Sequence, residues 1–354
     1  MSAAWARWWA RSSAQTVPNP TPRSETIMRC RWTPALLILP PILALLAGAR
    51  GVTGQQPSPS GRLLRFDVQG HRGARGLVPE NTLPAFERAL QLRVDTLELD
   101  LHFTRDGQVV VIHDPTLTPA KCRKVAADVP DLPAAIAGLS LKDLKRGYVC
   151  DVKQKEFPRQ DPAFRGEIAA GDYTVPTLQE VFDLVAAFGR AADAPYARRV
   201  RFNAETKRVP FDPQHIGDDG QAFERAIVRL IEQNGLVGRV SIQAFDHRSA
   251  LRTHLLNPAI ETVVLTSTGN PVRPDLLAKE ARAAFWSPTF RFVDRDLVEQ
   301  AHRGGVRVIP WTVNDEAGMR ALIQMGVDGI ITDVPDVLID LLRREFPGLR
   351  RPSP

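Results

Sequence analysis

Between residues 71 and 82 the chain reads His71-Arg72-Gly73-Ala74-Arg75-Gly76-Leu77-Val78-Pro79-Glu80-Asn81-Thr82, an imidazole, two guanidinium groups and a carboxylate set among glycines. Glycine lets backbone approach a ligand closely, and a plain turn needs the glycines but none of the ionisable groups. The combination suits a site that handles a phosphate, with Pro79-Glu80-Asn81-Thr82 chiefly starting the helix that follows. Further along, Glu98 and Asp100 stand two apart in a strand-like stretch and therefore share a face, and Asn203, Glu205 and Lys207 repeat that spacing. Any one carboxylate is ordinarily a surface or salt-bridged residue. Three of them, Glu98, Asp100 and Glu205, are costly to bury together unless a cation offsets their charge. All-oxygen ligands select a hard ion, so one divalent cation, Ca²⁺ or Mg²⁺ rather than Zn²⁺, is expected there.

Two histidines, His71 and His113, are placed to share acid and base work, because imidazole titrates nearest neutrality. A lone histidine is more often structural; one opening a Gly/Arg loop and one heading His113-Asp114-Pro115 are better candidates. Arg72 and Lys207 supply the positive groups that a phosphodiester and its transition state require. Arg75 reads as a rim or structural cation. His102 shares a face with Asp100 and is either a further ligand or a rim residue. Gln243, at the end of a strand-like run, is expected to meet the substrate, and Trp311 either walls the organic part of a substrate or packs as a lid aromatic. His215, His247, His254 and His302 lie in helix or loop contexts and take no role.

For these groups to converge, the elements carrying them must open at one end. Strand-like segments at 66–69, 96–102, 200–207, 239–244, 261–266, 283–286, 306–312 and 328–332 alternate with helix-like segments at 83–92, 177–188, 220–233, 247–256, 275–280, 294–303, 315–325 and 335–343. Eight such repeats favour an α/β fold of the TIM (β/α)8 barrel type over a doubly wound sheet. A hairpin strand over 108–112 follows the Asp106-Gly107 turn. Residues 115–175, rich in Pro, Lys, Asp and Gly, break the rhythm as an insertion between the second and third barrel strands. In a barrel, reactive side chains belong at strand C-terminal ends, where His71, Glu98, Asp100, Glu205, Gln243, Trp311 and Thr332-Asp333 all fall.

The first part of the 354-residue chain reads differently. A basic start at 28–31, an apolar run from Ala35 to Leu46 and the small residues Ala47-Gly48-Ala49 read as a secretory signal peptide over 1–49. Residues 1–27 then form an extended n-region or follow a misassigned start, and a membrane anchor is the alternative. Residues 50–63 read as a linker, 64–345 as the barrel and 346–354 as a C-terminal tail. Without the first 49 residues, 305 remain, and a formal charge of +6 falls to about +2 because five Arg and one Glu leave. No field for nucleic acid or anionic membrane is left, and no stable membrane insertion is expected after cleavage. The expected location is periplasmic or secreted. Cys122 and Cys150 then form an even pair that reads as a disulfide tying down the insertion, with two free thiols as the alternative.

Seven stretches resemble the glycerophosphodiester phosphodiesterase family. They are His-Arg-Gly…Pro-Glu-Asn-Thr-Leu-Pro-Ala-Phe at 71–86, Glu-Leu-Asp-Leu-His-Phe-Thr-Arg-Asp-Gly at 98–107, Val-Val-Val-Ile-His-Asp-Pro-Thr-Leu at 109–117, Asn-Ala-Glu-Thr-Lys at 203–207, Val-Ser-Ile-Gln-Ala-Phe-Asp at 240–246, Pro-Trp-Thr-Val-Asn at 310–314 and Gly-Val-Asp-Gly-Ile-Ile-Thr-Asp-Val-Pro at 326–335. The resemblance implies a TIM barrel that hydrolyses small glycerophosphodiesters to sn-glycerol 3-phosphate and an alcohol such as choline or ethanolamine. It implies His71 and His113 as the acid/base pair, Arg72 and Lys207 at the phosphate, and Glu98, Asp100 and Glu205 on the cation. The insertion would form part of the substrate side. Ala244 stands where the family often has serine, which puts alcohol specificity in doubt.

Two rivals remain. A related barrel phospholipase acting on intact lipid would need an exposed apolar surface, and only two of six Trp lie beyond the leader. A non-catalytic phosphodiester-binding protein would need no acid/base pair.

Overall fold

The structure, a computed structural model, describes residues 66–208, 220–267, 269 and 273–349. The expected leader (1–49), the linker (50–63) and residues 350–354 of the tail lie outside the described residues.

Eight parallel strands form the barrel: β1 (Asp67–Gly70), β2 (Thr96–Phe103), β3 (Arg201–Thr206), β4 (Val240–Ala244), β5 (Glu261–Thr266), β6 (Phe285–Pro288), β7 (Arg307–Val308) and β8 (Gly329–Thr332). Ladders join them in sequence from β1 to β7, and β8 pairs with β1. Between β7 and β8 the closure is looser: Asp328 N donates to Val308 O at 2.8 Å and Ile331 N to Pro310 O at 3.0 Å. The strand expected over 306–312 is regular only at Arg307–Val308, and Pro310, which has no N–H to give a ladder, supplies the reason.

β2 explains why the barrel closes as it does. Leu97, Leu99 and Leu101 are fully buried in the cluster that includes Phe86, Leu90, Phe182 and Val185 of the surrounding helices. Each such leucine contributes about 1.5–3 kcal/mol. The alternate residues Glu98 and Asp100 must then face the barrel interior. Register sets the neighbours: Glu98 stands opposite Asn203, Asp100 opposite Glu205, and Glu205 opposite Gln243. On the other side the interior is apolar, with Val263, Phe285, Ile309 and Ile331 packed together.

The helices α1 (Leu83–Gln91), α2 (Leu178–Ala191), α3 (Ala222–Gln233), α4 (His247–Leu256), α5 (Pro274–Glu280), α6 (Arg295–Arg303), α7 (Glu316–Met325) and α8 (Pro335–Glu345) follow the strands. Thr82, Thr177, Asp246, Asp294 and Asp315 cap five of them by accepting from first-turn N–H groups, so the loops at the barrel mouth end in fixed positions. The helix Ala194–Ala197, absent from the sequence reading, begins at the Asp193 cap with Pro195 in its first turn.

Val109–Val111 pairs antiparallel with β2, as the hairpin reading required. The insertion is not the floppy excursion expected without its bridge. Leu117, Val129, Ile136, Leu144 and Tyr148 form an apolar cluster of their own around Cys122 and Cys150. Two short antiparallel ribbons and the helix Leu141–Gly147 frame it. No helix among the described residues is long and apolar enough to cross a membrane.

Candidate active site

The chain leaves β1 through a turn that only small residues permit. A Cβ on Gly70 would lie 2.2 Å from Gly73 O, and one on Gly73, itself at φ +87°, would meet the Ala85 backbone at 2.7 Å. That turn seats His71 beside β8, where its N–H donates to Thr332 O at 2.9 Å. Its Nδ1 lies 2.6 Å from Asp333 Oδ1, while Asn314 Nδ2 donates to Asp333 Oδ2 at 2.7 Å. With Nδ1 engaged, Nε2 faces Glu98 at 3.9 Å. Burial, reinforced by Arg72 and Arg75 and opposed by Asp333, lowers the imidazole pKa.

Arg72 takes φ +50° and turns inward. Its N–H donates to Glu98 Oε2 at 2.8 Å, its Nη1 to Glu80 Oε1 at 3.0 Å, and its Nε lies 3.2 Å from Asp100 Oδ2. Glu80 is the hub of this side. Arg75 Nε approaches its Oε2 to 2.6 Å and Lys121 Nζ its Oε1 to 2.8 Å. Burial alone would raise its pKa, but Arg72, Arg75 and Lys121 outweigh it and hold the carboxyl well below the usual range. Asn81 donates to Asp100 Oδ2 at 2.8 Å. Pro79-Glu80-Asn81-Thr82 therefore does more than start a helix: Thr82 caps α1, while Glu80 and Asn81 belong to the site. Arg75 is a structural cation, its guanidinium also 4.6 Å above the Phe157 ring.

Glu98, Asp100 and Glu205 each bring an oxygen within 4.8 Å of the others, and all three are buried. Gln243 Nε2 donates to Glu98 Oε1 at 2.7 Å, and Lys207 Nζ lies 2.8 Å from Glu205 Oε1 and 3.7 Å from Asp100 Oδ1. Asp100 Oδ1 is buried without a hydrogen bond. Burial and the charge of Asp100 push the Glu98 pKa well up, and burial carries Glu205 to about 7 despite Lys207. Burial acts the same way on Asp100, yet Arg72, His113 and Lys207 prevail and lower it. Two reluctant carboxylates beside a buried oxygen without a hydrogen bond are what a hard cation would relieve, and the residues fit a Ca²⁺ or Mg²⁺ ion.

His113 closes the hairpin from the opposite edge. Its Nδ1 lies 2.6 Å from Asp114 Oδ1, and Lys121 Nζ is 2.7 Å from Asp114 Oδ2. Burial lowers its pKa to about 4. Both imidazoles thus have Nδ1 held by a carboxylate, which leaves Nε2 for chemistry. His102 is not in the acidic trio; its Nε2 lies 3.1 Å from His113 O, so it braces that loop.

Gln243, expected to meet substrate, is buried behind Glu98, its amide oxygen accepting from Asn203 Nδ2 at 3.1 Å. Trp311 donates from Nε1 to Ser287 O at 3.0 Å and stacks edge-on against Phe245, ring centroids 5.5 Å apart. Phe245 is 41% exposed, an apolar edge beside the half-buried Trp311. Cys122 and Cys150 are joined as a disulfide. A cleft of about 370 Å³ lies between the 79–82 loop and the insertion, lined by Glu80, Asn81, Ile112, Lys121, Val152 and Gln154.

Sequence reading brought together His71, Arg72, Glu98, Asp100, His113, Glu205 and Lys207. It gave no site role to Glu80, Lys121 or Asn314, and it placed Thr332-Asp333 at the end of the eighth strand without naming a partner.

Residues 71–337 match the model of the Glycerophosphoryl diester phosphodiesterase family. A glycerophosphodiester phosphodiesterase of Caldanaerobacter subterraneus subsp. tengcongensis is 31% identical over 278 residues, 78% of this chain and 98% of that protein. A crystal structure of a Silicibacter pomeroyi protein assigned as a glycerophosphoryl diester phosphodiesterase aligns at 27% identity and TM-score 0.68, covering 80% of this chain and 96% of that one. An Oleispira antarctica phosphodiesterase, solved in complex with its product sn-glycerol-3-phosphate, shares the fold at 22% identity and TM-score 0.62, with coverage of 78% and 96%.

Proposed function

The chain belongs to the glycerophosphoryl diester phosphodiesterase family and hydrolyses glycerophosphodiesters, and from that premise we propose that it releases sn-glycerol 3-phosphate and an alcohol by His71/His113 acid-base catalysis beside a divalent cation. The observation that carries this reading is Asp100 Oδ1, buried without a hydrogen bond inside a carboxylate trio.

Glu98, Asp100 and Glu205 would hold the cation, Ca²⁺ or Mg²⁺. When bound, such an ion offsets charge on the phosphoryl oxygens and acidifies a coordinated oxygen. Arg72 and Lys207 add fixed positive charge where the phosphate sits. One imidazole takes the proton of the attacking oxygen, from water or from the substrate's glycerol hydroxyl, at its Nε2. The other, protonated in the complex because the substrate's anionic phosphate raises its pKa, gives a proton to the departing alcohol oxygen from its own Nε2. Asp333 and Asp114 keep both rings aimed. Gln243 and Asn203 steady Glu98 rather than reach the substrate, and Trp311 lines the mouth.

The exposed Phe245 beside Trp311 favours a second reading, in which a substrate's acyl chain lies along that edge and lysophospholipid is also cleaved. Export to the periplasm or medium is proposed from the leader and the Cys122–Cys150 bridge, since disulfides persist in oxidising compartments. Recovery of the native protein from the exported fraction, starting near residue 50, checks it.

The test of function is turnover of glycerophosphocholine, glycerophosphoethanolamine and lysophosphatidylcholine, with chelator and then Ca²⁺ or Mg²⁺ add-back. Glycerophosphodiesters should be cleaved, chelation should abolish activity, and His71→Ala and His113→Ala should each lose about 10²–10⁴-fold in kcat. Activity on the lipid alone, or full activity in chelator, would overturn the reading.

A further inference from the structure

We propose that Lys121 is a positioning residue for the reaction, its ammonium reaching out of the insertion to fix the carboxylate that orients His113. The inference rests on the role given to His113 above.

Lys121 Nζ stands 2.8 Å from Glu80 Oε1 and 2.7 Å from Asp114 Oδ2. Asp114 Oδ1 in turn lies 2.6 Å from His113 Nδ1. One cation therefore bridges the loop after β1 and the end of the hairpin. The two carboxylates depend on it unequally. Glu80 keeps Arg72 Nη1 at 3.0 Å, Arg75 Nε at 2.6 Å and Gln154 Nε2 at 3.2 Å if the ammonium is removed. Among the described residues, Lys121 is the cation paired with Asp114 apart from the imidazole itself. Removing it leaves a half-exposed carboxylate free to turn to water and the His113 ring free to follow. The loss falls on the proton-transfer arm, not on the Arg72 arm.

Holding a lysine still costs side-chain entropy, so its stem must be well anchored. The insertion supplies the anchor. Lys121 N and Cys122 N both donate to Thr118 O, at 3.1 and 2.9 Å, and Lys121 O accepts from Val152 N at 3.3 Å. The next residue, Cys122, is bonded to Cys150. Arg123 holds Asp151 with two hydrogen bonds, at 2.9 and 2.8 Å, which ties the same two segments again. The ammonium is thus presented by the insertion to two groups outside it.

The experiment measures kcat and KM of the full metal-loaded enzyme on glycerophosphocholine for Lys121→Met, Lys121→Arg, Asp114→Asn and the Lys121→Met/Asp114→Asn double variant. Lys121→Met should lower kcat about tenfold, the scale of losing an outer partner of a functional histidine, with KM changed less than about twofold. Lys121→Arg should restore most of kcat, because it keeps the charge. Lys121→Met should cost nothing more once Asp114 is already Asn. Lys121→Gln, similar in length, replaces the Met variant if that one does not fold. A wild-type kcat in Lys121→Met, a change confined to KM, or independent effects in the double variant would each overturn the proposal. His113→Ala run alongside keeps the readings apart. If it is active, the role of His113 falls and takes the lysine with it. If it is inactive while Lys121→Met is normal, the lysine alone falls.

Discussion

At the base of the barrel, Asp67 is closed on every side: Thr96 Oγ1 donates to its Oδ1 at 2.8 Å, and Gln69 Nε2 and Arg201 Nη2 to its Oδ2 at 2.8 and 2.6 Å. At the mouth, Asp100 is as deeply buried but one oxygen has no hydrogen bond, and two further carboxylates crowd it. The two ends are joined through the interior. Asn203 Nδ2 donates to Gln69 Oε1 at 2.8 Å on one side and to Gln243 Oε1 on the other, and Gln243 holds Glu98. A polar residue inside this barrel is therefore not functional by virtue of burial. The base is a satisfied network that fixes shape. The mouth is a set of like charges left unbalanced, and that imbalance is what a cation and an anionic substrate can use.

The largest expected effect breaks the comparison if it fails. Glu205→Gln at the mouth should lower kcat by about 10³-fold or more, on the scale of losing metal-assisted charge stabilisation. It should leave the metal-free protein as stable as before or more so, because it removes a charge that burial disfavours. Asp67→Asn at the base should do the reverse: roughly 1–3 kcal/mol of stability lost from a broken buried pair, with kcat at saturating metal within about twofold. Thermal unfolding in chelator, set beside turnover, checks both. A fully active Glu205→Gln enzyme, or an Asp67→Asn enzyme that is stable but inactive, would erase the distinction between the two ends.

A smaller effect comes from pH. The Glu205 carboxyl titrates near 7 in the folded metal-free protein, against 4.5 for an unperturbed glutamate. Its folded pKa is raised, so the folded chain holds the proton more tightly than the unfolded chain. Stability contributed by that proton is present below about 4.5 and is lost as pH climbs to about 7. Glu98 acts in the same direction. A divalent cation binds the ionised carboxylates, so the Tm gained on adding Ca²⁺ or Mg²⁺ should be larger at pH 8 than at pH 5. Equal gains at the two pH values would mean that the trio is not where the cation binds.

Much of the mouth was legible because strand geometry is local. Leu97, Leu99 and Leu101 alternate with Glu98, Asp100 and His102, and that period alone turns the carboxylates inward. What the pattern does not encode is which loops meet. Lys121 and Glu80 are 41 positions apart, and His71 and Asp333 are 262 apart. No periodicity pairs them. Glu80 and Asn81 read as a helix start because they precede the Thr82 cap, and the pattern does not show that Asn81 takes φ +53° and reaches Asp100. Gln243 was rightly placed on an inward face, but spacing does not give depth, and its amide is spent on Glu98 and Asn203. The insertion lacks a single strong period, so its own apolar cluster was invisible until Leu117, Ile136 and Tyr148 came together.

The smallest effect sharpens the comparison by separating the mouth's supports from the barrel. The Cys122–Cys150 bridge closes a separation of 28 residues, for which chain entropy predicts about 3–4 kcal/mol. That stabilisation belongs to the insertion, which also has the Arg123–Asp151 pair and its apolar cluster to hold it. In Cys122→Ser/Cys150→Ser the barrel should unfold within a few degrees of the parent, because 1 kcal/mol moves a domain of this size by only about 2–4 °C and most of the loss is local. Amide exchange should quicken over 117–150 and stay unchanged in β1 and β3, where Asp67 and Arg201 sit. Turnover should fall less than in Lys121→Met, since the ammonium remains and is only less firmly held. Exchange that quickens equally at the base would mean that the insertion and the barrel open as one unit, and that the base owes its order to the same bridge as the mouth.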